Sequence, residues 1–223
     1  TRLEQSLAAE LSLRERGQDA FAPIADEVVT VTDAVSVSRI YQYARDVYAF
    51  GSKHILQPGN ALAIEYYTET LRGFGYEPEV QWFDTRGVRT ANVVARIPGT
   101  ADPELVYVAS SHFDSVERGP GADDNSSGAT ALLEAARVLK DHPMPATMEL
   151  AFFTGEEAGL RGSREYVRRA GESGKHIAGA LNNDMIGWAN DHRLDNTIRY
   201  SNPGIRDIQH AAAIQFSDLI TYD

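Results

Sequence analysis

The stretch LVYVASSHFDSVERGPGADDNSSGATALLEAARVL, residues 105–139, decides the fold class of this chain. It opens with a β-rich run over residues 105–110 and closes with a helix predicted over 126–140, whose apolar residues recur at helical spacing. A loop rich in glycine and acidic residues lies between them. A strand joined by a loop to an amphipathic helix is the unit from which layered α/β domains are built.

The alternation of strands and helices extends on both sides of this stretch. The remaining strands are predicted over residues 80–83, 91–97, 148–153, 177–181 and 198–200. The remaining helices are predicted over residues 36–49, 60–73, 163–170 and 203–216. This order indicates an α/β layered domain with a mostly parallel central sheet. Residues 1–34 are interpreted as a lead-in with a short helix, and residues 35–223 as the main domain.

The composition excludes several classes of protein. No run of about 18 apolar residues is present, so no membrane span is predicted. The 32 acidic residues outnumber the 21 basic ones, which argues against a nucleic-acid partner because phosphate binding needs clustered lysine and arginine. The lack of cysteine excludes disulfides, thiolate metal sites and cysteine nucleophiles. No pattern in the sequence indicates an oligomeric state.

Polar residues that can bind a metal follow three of the predicted strands. In chain order they are His112 and Asp114, then Glu156 and Glu157, then Asp184. In open α/β sheets, binding sites form beyond the carboxyl ends of the strands. The sequence therefore predicts one site to which several loops contribute.

Asp114 stands two residues after His112. At that spacing a carboxylate can hold one ring nitrogen of the histidine and leave the other for a metal. The alternative is an ordinary core or surface histidine followed by a turn residue.

Two adjacent aspartates, Asp123 and Asp124, precede the strong helix. Aspartate and asparagine are preferred at helix starts, where a single side chain is enough to cap free N–H groups. Two carboxylates beside the positive end of the helix dipole exceed that need. A carboxylate that bridges two cations would use the surplus, and simple capping is the alternative.

Glu156 and Glu157 are the most specific signal of a catalytic metal site in the sequence. Adjacent side chains in an extended segment point to opposite sides, so one glutamate is expected to bind a metal and the other to act as a general base toward a metal-bound water. An ordinary acidic loop is the alternative. One histidine with several carboxylates suits zinc, manganese or cobalt, and the number of carboxylates favours two ions.

Four segments together resemble the co-catalytic di-zinc aminopeptidase family, which includes secreted bacterial leucyl aminopeptidases. They are SHFDS at 111–115, PGADD at 120–124 with Ser127-Gly128, TGEEAGLRGS at 154–163 and NDMIG at 183–187. All four occur in the family order and at similar spacing, and the resemblance covers about residues 36–190. It implies a three-layer α/β/α sandwich of the phosphorylase/hydrolase-like kind, with a mixed, mostly parallel central sheet.

The resemblance also implies a division of labour among the metal ligands. His112 and Asp184 would bind one zinc ion, Glu157 would bind the other, and Asp124 would bridge the pair. Two Zn²⁺ ions per site are therefore expected in the complete protein.

For the catalytic residues, the resemblance implies that Asp114 orients His112. Glu156 would be the general base that takes a proton from the bridging water and later passes it to the leaving amine. The expected activity is that of an exopeptidase acting on peptides with a free N-terminus, and the family implies a secreted or periplasmic protein.

The chain departs from the family pattern at its C-terminal side. Family members carry a fifth ligand, a histidine well downstream of the last aspartate. Here His192 is too close to Asp184, and His210 lies on a predicted helix. The expectation is either a chain that lacks its C-terminal part or a lost ligand. The alternative functions are a glutaminyl-cyclase-like acyltransferase with a single zinc and an inactive peptidase-like binding domain; the intact GADD and Glu-Glu segments favour the peptidase.

Overall fold

The computed structural model describes residues 1–189, 194–199 and 201–222, apart from the side chains of Ser6 and Tyr222. The helices are α1 (Arg2–Phe21), α2 (Ala25–Asp33), α3 (Val37–Tyr48), α4 (Pro58–Gly73), α5 (Ser126–Leu139), α6 (Arg161–Ser173) and α7 (Pro203–Phe216). The strands are β1 (Glu79–Thr85), β2 (Val88–Ile97), β3 (Asp102–His112), β4 (Ala146–Phe153), β5 (His176–Asn182), β6 (Asp195–Thr197) and β7 (Ile220–Tyr222). A 3₁₀ turn (Ala22–Ile24) separates α1 from α2.

The chain divides into two compact units. Val35–Gly187 form the larger unit, and Thr1–Ala34 with Trp188–Asp223 form the smaller one. The expected division into a lead-in over residues 1–34 and a main domain over residues 35–223 stays a prediction. Residues from 188 onward group with the lead-in rather than with the central sheet, which the sequence did not indicate.

The larger unit is built on a five-stranded sheet in the order β1-β2-β4-β3-β5. Strand β3 pairs in parallel with β4 and with β5, while β2 pairs antiparallel with β1 and with β4. The predicted mixed α/β sheet is confirmed, although half of its strand pairs, rather than most of them, are parallel. Within this sheet, parallel pairing is confined to β3, β4 and β5, the three strands that precede the candidate metal ligands.

Helices cover both faces of this sheet. On one face α4 and α5 pack against β2 and β3, and α3 packs against α5; on the other face α6 packs against β1 and β2. Alternate residues of a strand point to opposite faces, so β3 contributes to two separate cores. Ala109 of β3 packs against the core cluster that contains Leu132 of α5, whereas Val106 and Val108 belong to the cluster that contains Tyr166 of α6. The expected three-layer arrangement is therefore present in this unit.

The smaller unit is held together by helix packing. Helix α1 lies against α7, where Gly17 meets Ala211 closely and the ring of Phe21 meets Phe216 edge-on at 5.3 Å. The strand predicted over 198–200 is wrong in position: β6 ends at Thr197 and pairs in parallel with β7, and Tyr200 lies outside the described residues. Among the helices that the structure describes, none has the length and apolar character needed to cross a membrane.

Candidate metal centre

The topology of the larger unit brings the predicted metal ligands to one edge of the sheet. His112 is the last residue of β3 and lies in register with Phe153, the last residue of β4. Asp184 comes two residues after the end of β5, which pairs with the other side of β3. Because all three strands are parallel, their carboxyl ends and the loops that follow them meet.

His112, Asp124 and Asp184 form a cluster that could hold a cation, which we call the metal trio. The Nε2 atom of His112 lies 3.2 Å from Oδ1 of Asp124 and 3.4 Å from Oδ1 of Asp184. One ligand atom from each residue lies within 4.8 Å of the other two. The imidazole is buried while both carboxylates are partly open to solvent, so an ion could enter from the solvent side.

Asp114 is fully buried and connects the metal trio to the Glu156-Glu157 segment. Its Oδ1 lies 3.4 Å from Nδ1 of His112, and its backbone oxygen lies 3.2 Å from the same nitrogen. The two carboxylate oxygens accept hydrogen bonds from the backbone N–H groups of Glu156 (3.0 Å) and Glu157 (3.1 Å). The Asp114 side chain thus contacts Nδ1 of His112 and leaves Nε2 of the ring facing Asp124 and Asp184. The same side chain also holds the backbone of Glu156 and Glu157.

Glu156 and Glu157 lie in a turn, so the expectation of an extended segment is wrong here. The backbone oxygen of Glu156 accepts hydrogen bonds from Gly159 (2.8 Å) and Leu160 (2.9 Å), and glycines at positive φ allow the chain to bend on both sides. The two carboxylates nevertheless differ in their surroundings. Glu156 shares a pocket with two members of the trio, whereas Oε1 of Glu157 is buried and has no hydrogen-bond partner among the described residues.

Charges in the site favour the presence of a cation. Burial disfavours the charged ring of His112, but the hydrogen bond and charge of Asp114, together with other nearby carboxylates, outweigh it and raise the pKa of His112 to about 9. Desolvation raises the pKa of Asp124, Glu156 and Glu157, and neighbouring carboxylates add to this effect. Carboxylates that stabilise a proton on the ring would equally stabilise a metal ion at Nε2.

The donor set fits a divalent metal. One imidazole nitrogen and several carboxylate oxygens, in a chain without cysteine, match the ligand types used by zinc and by similar ions. The buried, unpartnered oxygen of Glu157 is a further sign, since leaving such an atom without a partner is costly.

A pocket of about 270 Å³ opens beside the trio. Its lining combines apolar and small polar side chains with three charged or ionisable groups. The residues that line it are Ser110, His112, Phe153, Thr154, Glu156, Leu160, Ser163, Asn182 and Asp184. A substrate group placed in this pocket would lie next to both Glu156 and the trio.

Asp123 and Asp124, the two acidic residues before α5, do not cap the helix. The cap of α5 is Asn125, whose side chain accepts from Gly128 N–H at 3.0 Å. Asp124 turns toward His112, and Oδ1 of Asp123 accepts from the N–H of Gly187 at 2.9 Å. Asp123 therefore anchors the loop after Asp184, a role that only the distant contact reveals.

Lys53 is a buried residue that sequence reasoning missed. Its Nζ donates to the backbone oxygen of Pro120, and its backbone N–H donates to Oγ of Ser115 at 2.9 Å. Desolvation lowers the pKa of Lys53 to about 8, against the opposing effect of the Asp114 charge. Lys53 thus holds the loop that leads to Asp124, and no pattern around it in the sequence could have signalled this.

Two histidines, His192 and His210, follow Asp184 in the sequence. His210 lies on α7, with Nδ1 2.6 Å from Oγ1 of Thr221 in the same unit. His192 lies outside the described residues.

Comparisons with known proteins show the family of the chain. The model of peptidase family M28 matches residues 92–222. Leupeptin-inactivating enzyme 1 of Streptomyces exfoliatus is 40% identical over 136 residues, which cover 59% of this chain and 31% of that protein. A probable zinc metalloprotease of Pyrenophora tritici-repentis is 29% identical over 199 residues, covering 77% of this chain and 41% of that protein. A probable leucine aminopeptidase 1 of Trichophyton verrucosum is 37% identical over 142 residues, covering 58% and 37%.

The chain spans less than half the length of these curated relatives. Among solved structures, the Legionella pneumophila LapA aminopeptidase matches with a TM-score of 0.80 and 18% identity, over 89% of this chain and 57% of that one. A Porphyromonas gingivalis glutaminyl cyclase matches with a TM-score of 0.71 and 21% identity, over 85% and 77%. These structural matches show the fold. The family model spans more than half of the chain and contains the whole metal trio, and this chain belongs to peptidase family M28.

Proposed function

We propose that this chain carries the catalytic centre of a zinc-dependent aminopeptidase, which removes N-terminal residues from peptides with a free N-terminus. The observation that carries the proposal is the position of Glu156, which shares one pocket with His112 and Asp184 of the metal trio. A carboxylate beside a metal site is the usual general base of a metallopeptidase. Relatives named as leucine aminopeptidase and zinc metalloprotease support the same activity.

The proposed centre holds two zinc ions. His112 and Asp184 would hold the first, Glu157 would hold the second, and Asp124 would contribute to both. The buried, unpartnered oxygen of Glu157 supports a second ion on that side. Zinc bound there polarises the scissile carbonyl and lowers the pKa of water.

Glu156 is the proposed general base. In the metal-free site, desolvation raises the pKa of its carboxyl. A general base is most effective when its pKa lies near the operating pH. It takes a proton from the attacking water and returns it to the leaving amine. The backbone of Glu156 is held by Asp114, which also engages His112, so the base and the trio keep their relative positions.

Glu156→Gln tests this role, because the amide keeps the size of the side chain but cannot accept the proton. With the zinc-loaded protein, kcat for a leucine chromogenic anilide should fall on the order of 10²–10⁴-fold. Zinc binding should stay close to that of the wild type, because Glu156 is not a proposed ligand. Glu77→Gln is the matched control at an exposed site and should leave kcat unchanged. A fully active Glu156→Gln protein would refute the assignment.

Assays of the zinc-loaded wild-type protein also distinguish the alternative functions. Cyclisation of an N-terminal glutamine without hydrolysis of the anilide would identify a glutaminyl-cyclase-like enzyme. Zinc binding without either reaction would identify an inactive binding domain. Export from the cytoplasm stays a prediction.

A further inference from the structure

Asn125 is a fully buried side chain in which each polar atom has partners. Its Nδ2 donates to Oγ of Ser111 and to the backbone oxygen of Asn183, both at 3.0 Å. Its Oδ1 accepts from the backbone N–H of Gly128 at 3.0 Å and of Met185 at 3.2 Å. Four hydrogen bonds to four residues satisfy the amide completely.

The partners of Asn125 adjoin all three members of the metal trio. Ser111 directly precedes His112, and Asn125 itself directly follows Asp124. Asn183 and Met185 stand on either side of Asp184, so the backbone is held on both flanks of that ligand.

The trio needs such support because its carboxylates repel each other. Oδ1 of Asp124 and Oδ1 of Asp184 both face Nε2 of His112, at 3.2 Å and 3.4 Å. Asp184 lies two residues beyond the last paired residue of β5, and the N–H of Asn183 still donates to the backbone oxygen of Ser110 at 2.9 Å. Beyond that bond, contacts from side chains, including Asn125 and Asp123, hold the loop. Without links to the rest of the site, that loop could move outward and separate the ligand oxygens.

The space around the amide is fitted closely. A Cβ atom on Gly128 would fall 2.5 Å from Oδ1 of Asn125, 2.6 Å from the backbone oxygen of Asn183 and 2.8 Å from Oγ of Ser111. The absence of a side chain at Gly128 therefore lets these three groups converge.

We propose that Asn125 is a positioning residue of the metal trio, holding the segments of His112, Asp124 and Asp184 in place before a cation binds. The inference rests on the metal site of the proposed function but not on its peptidase activity. The competing explanation is that Asn125 only caps α5. Capping needs one acceptor oxygen, whereas the two bonds from Nδ2 serve no capping purpose.

Asn125→Ser separates the two explanations. Serine is about as good an N-cap as asparagine, but it is too short to reach Asn183 and Ser111. Asn202→Ser is the matched control, because Asn202 caps α7 through Gly204 and carries no ligand segment. The readout is the affinity for zinc chloride, measured by competition with a chromophoric chelator on otherwise metal-free protein.

Asn125→Ser should weaken zinc binding about 10–100-fold, the range typical of groups that orient metal ligands, and Asn202→Ser should leave it within about twofold. In the metal-free protein, exchange of the Met185 amide hydrogen should also accelerate, because its acceptor is removed. If Asn125→Ser fails to fold, Ser111→Ala tests the same link by removing a single hydroxyl, and it should weaken zinc binding by a smaller factor.

Each outcome decides the proposal. The positioning role would be overturned if Asn125→Ser and Asn202→Ser bound zinc with equal affinity. If Asn125→Ser does not fold, an unchanged zinc affinity in Ser111→Ala would overturn it. Either result would leave the proposed function intact. A wild-type chain that binds no zinc would overturn both.

Discussion

Asp114→Asn is the substitution that most directly tests how the site is organised. Both oxygens of the wild-type carboxylate accept backbone hydrogen bonds, from Glu156 at 3.0 Å and Glu157 at 3.1 Å. Asparagine is the same size but retains one oxygen. In either orientation of the amide, one backbone N–H faces an NH₂ group and loses its partner.

The magnitude follows from the burial of Asp114, which is completely inaccessible to solvent. An unsatisfied buried donor costs about 1–3 kcal/mol, so the free energy of unfolding should fall by ~2 kcal/mol. The variant also loses the charge that lies 3.4 Å from Nδ1 of His112. Loss of such a partner of a metal-binding histidine should weaken zinc affinity about 10–100-fold.

Two measurements check these numbers. Urea unfolding of the metal-free protein, followed by circular dichroism, reports the stability, and chelator competition reports the zinc affinity. Asp141→Asn is the matched control, because the Asp141 side chain is 96% exposed, and its effect on stability should stay within about 0.5 kcal/mol. If both variants behave alike in both assays, Asp114 does not connect His112 to the Glu156-Glu157 turn.

Two further predictions concern stability alone. Gly162→Ala should destabilise by about 1–3 kcal/mol, because its Cβ would fall 2.2 Å from Oδ1 of Asn92 and 2.3 Å from the backbone oxygen of Thr154. Gly171→Ala, in the same helix and with no atom within 4 Å, should stabilise slightly or be neutral, and similar urea midpoints would contradict this contrast. For Lys53, the folded pKa of about 8 lies below the unfolded value of about 10.4, so between these pH values the unfolded chain binds more protons and stability rises with pH. Lys53→Met should lack this rise, so the difference in unfolding free energy between wild type and variant should change from pH 8 to pH 10. A constant difference would contradict the lowered pKa of Lys53.

Local sequence signals predicted the regular elements best where a start or stop is encoded by neighbouring residues. Helix α7 spans Pro203–Phe216 as predicted, since Asn202 caps it and Pro203 stands at its first position. Helix α5 begins at Ser126 as predicted, behind the cap Asn125. In each case the decisive contacts lie within one turn of the residue concerned.

Elements that depend on distant partners were predicted poorly. The strand β6 begins with Asp195 and Asn196, residue types that do not favour strands, and it is defined by its pairing with β7. The turn at Glu156 depends on the hydrogen bonds that its backbone oxygen accepts from Gly159 and Leu160. It also depends on the bond that the N–H of Glu156 donates to Asp114. A prediction based on the alternation of side chains along a strand does not take such contacts into account.

The sequence by itself determined which residues could act and where they would meet. Ligand-type side chains follow the strands β3, β4 and β5, and parallel pairing brings such positions to one edge of the sheet. The family resemblance rests on the same segments, and the match over residues 92–222 agrees with it.

Only the tertiary structure decided how those residues are held. The two amide donors of Asn125 reach residues 14 and 58 positions away, and Nζ of Lys53 reaches an oxygen 67 positions away. Such contacts leave no periodic pattern in the chain, because they form only after separate strands and helices have packed. Residue types and their order therefore specify the ligands, while the packing of distant segments specifies the geometry that would let them bind a metal.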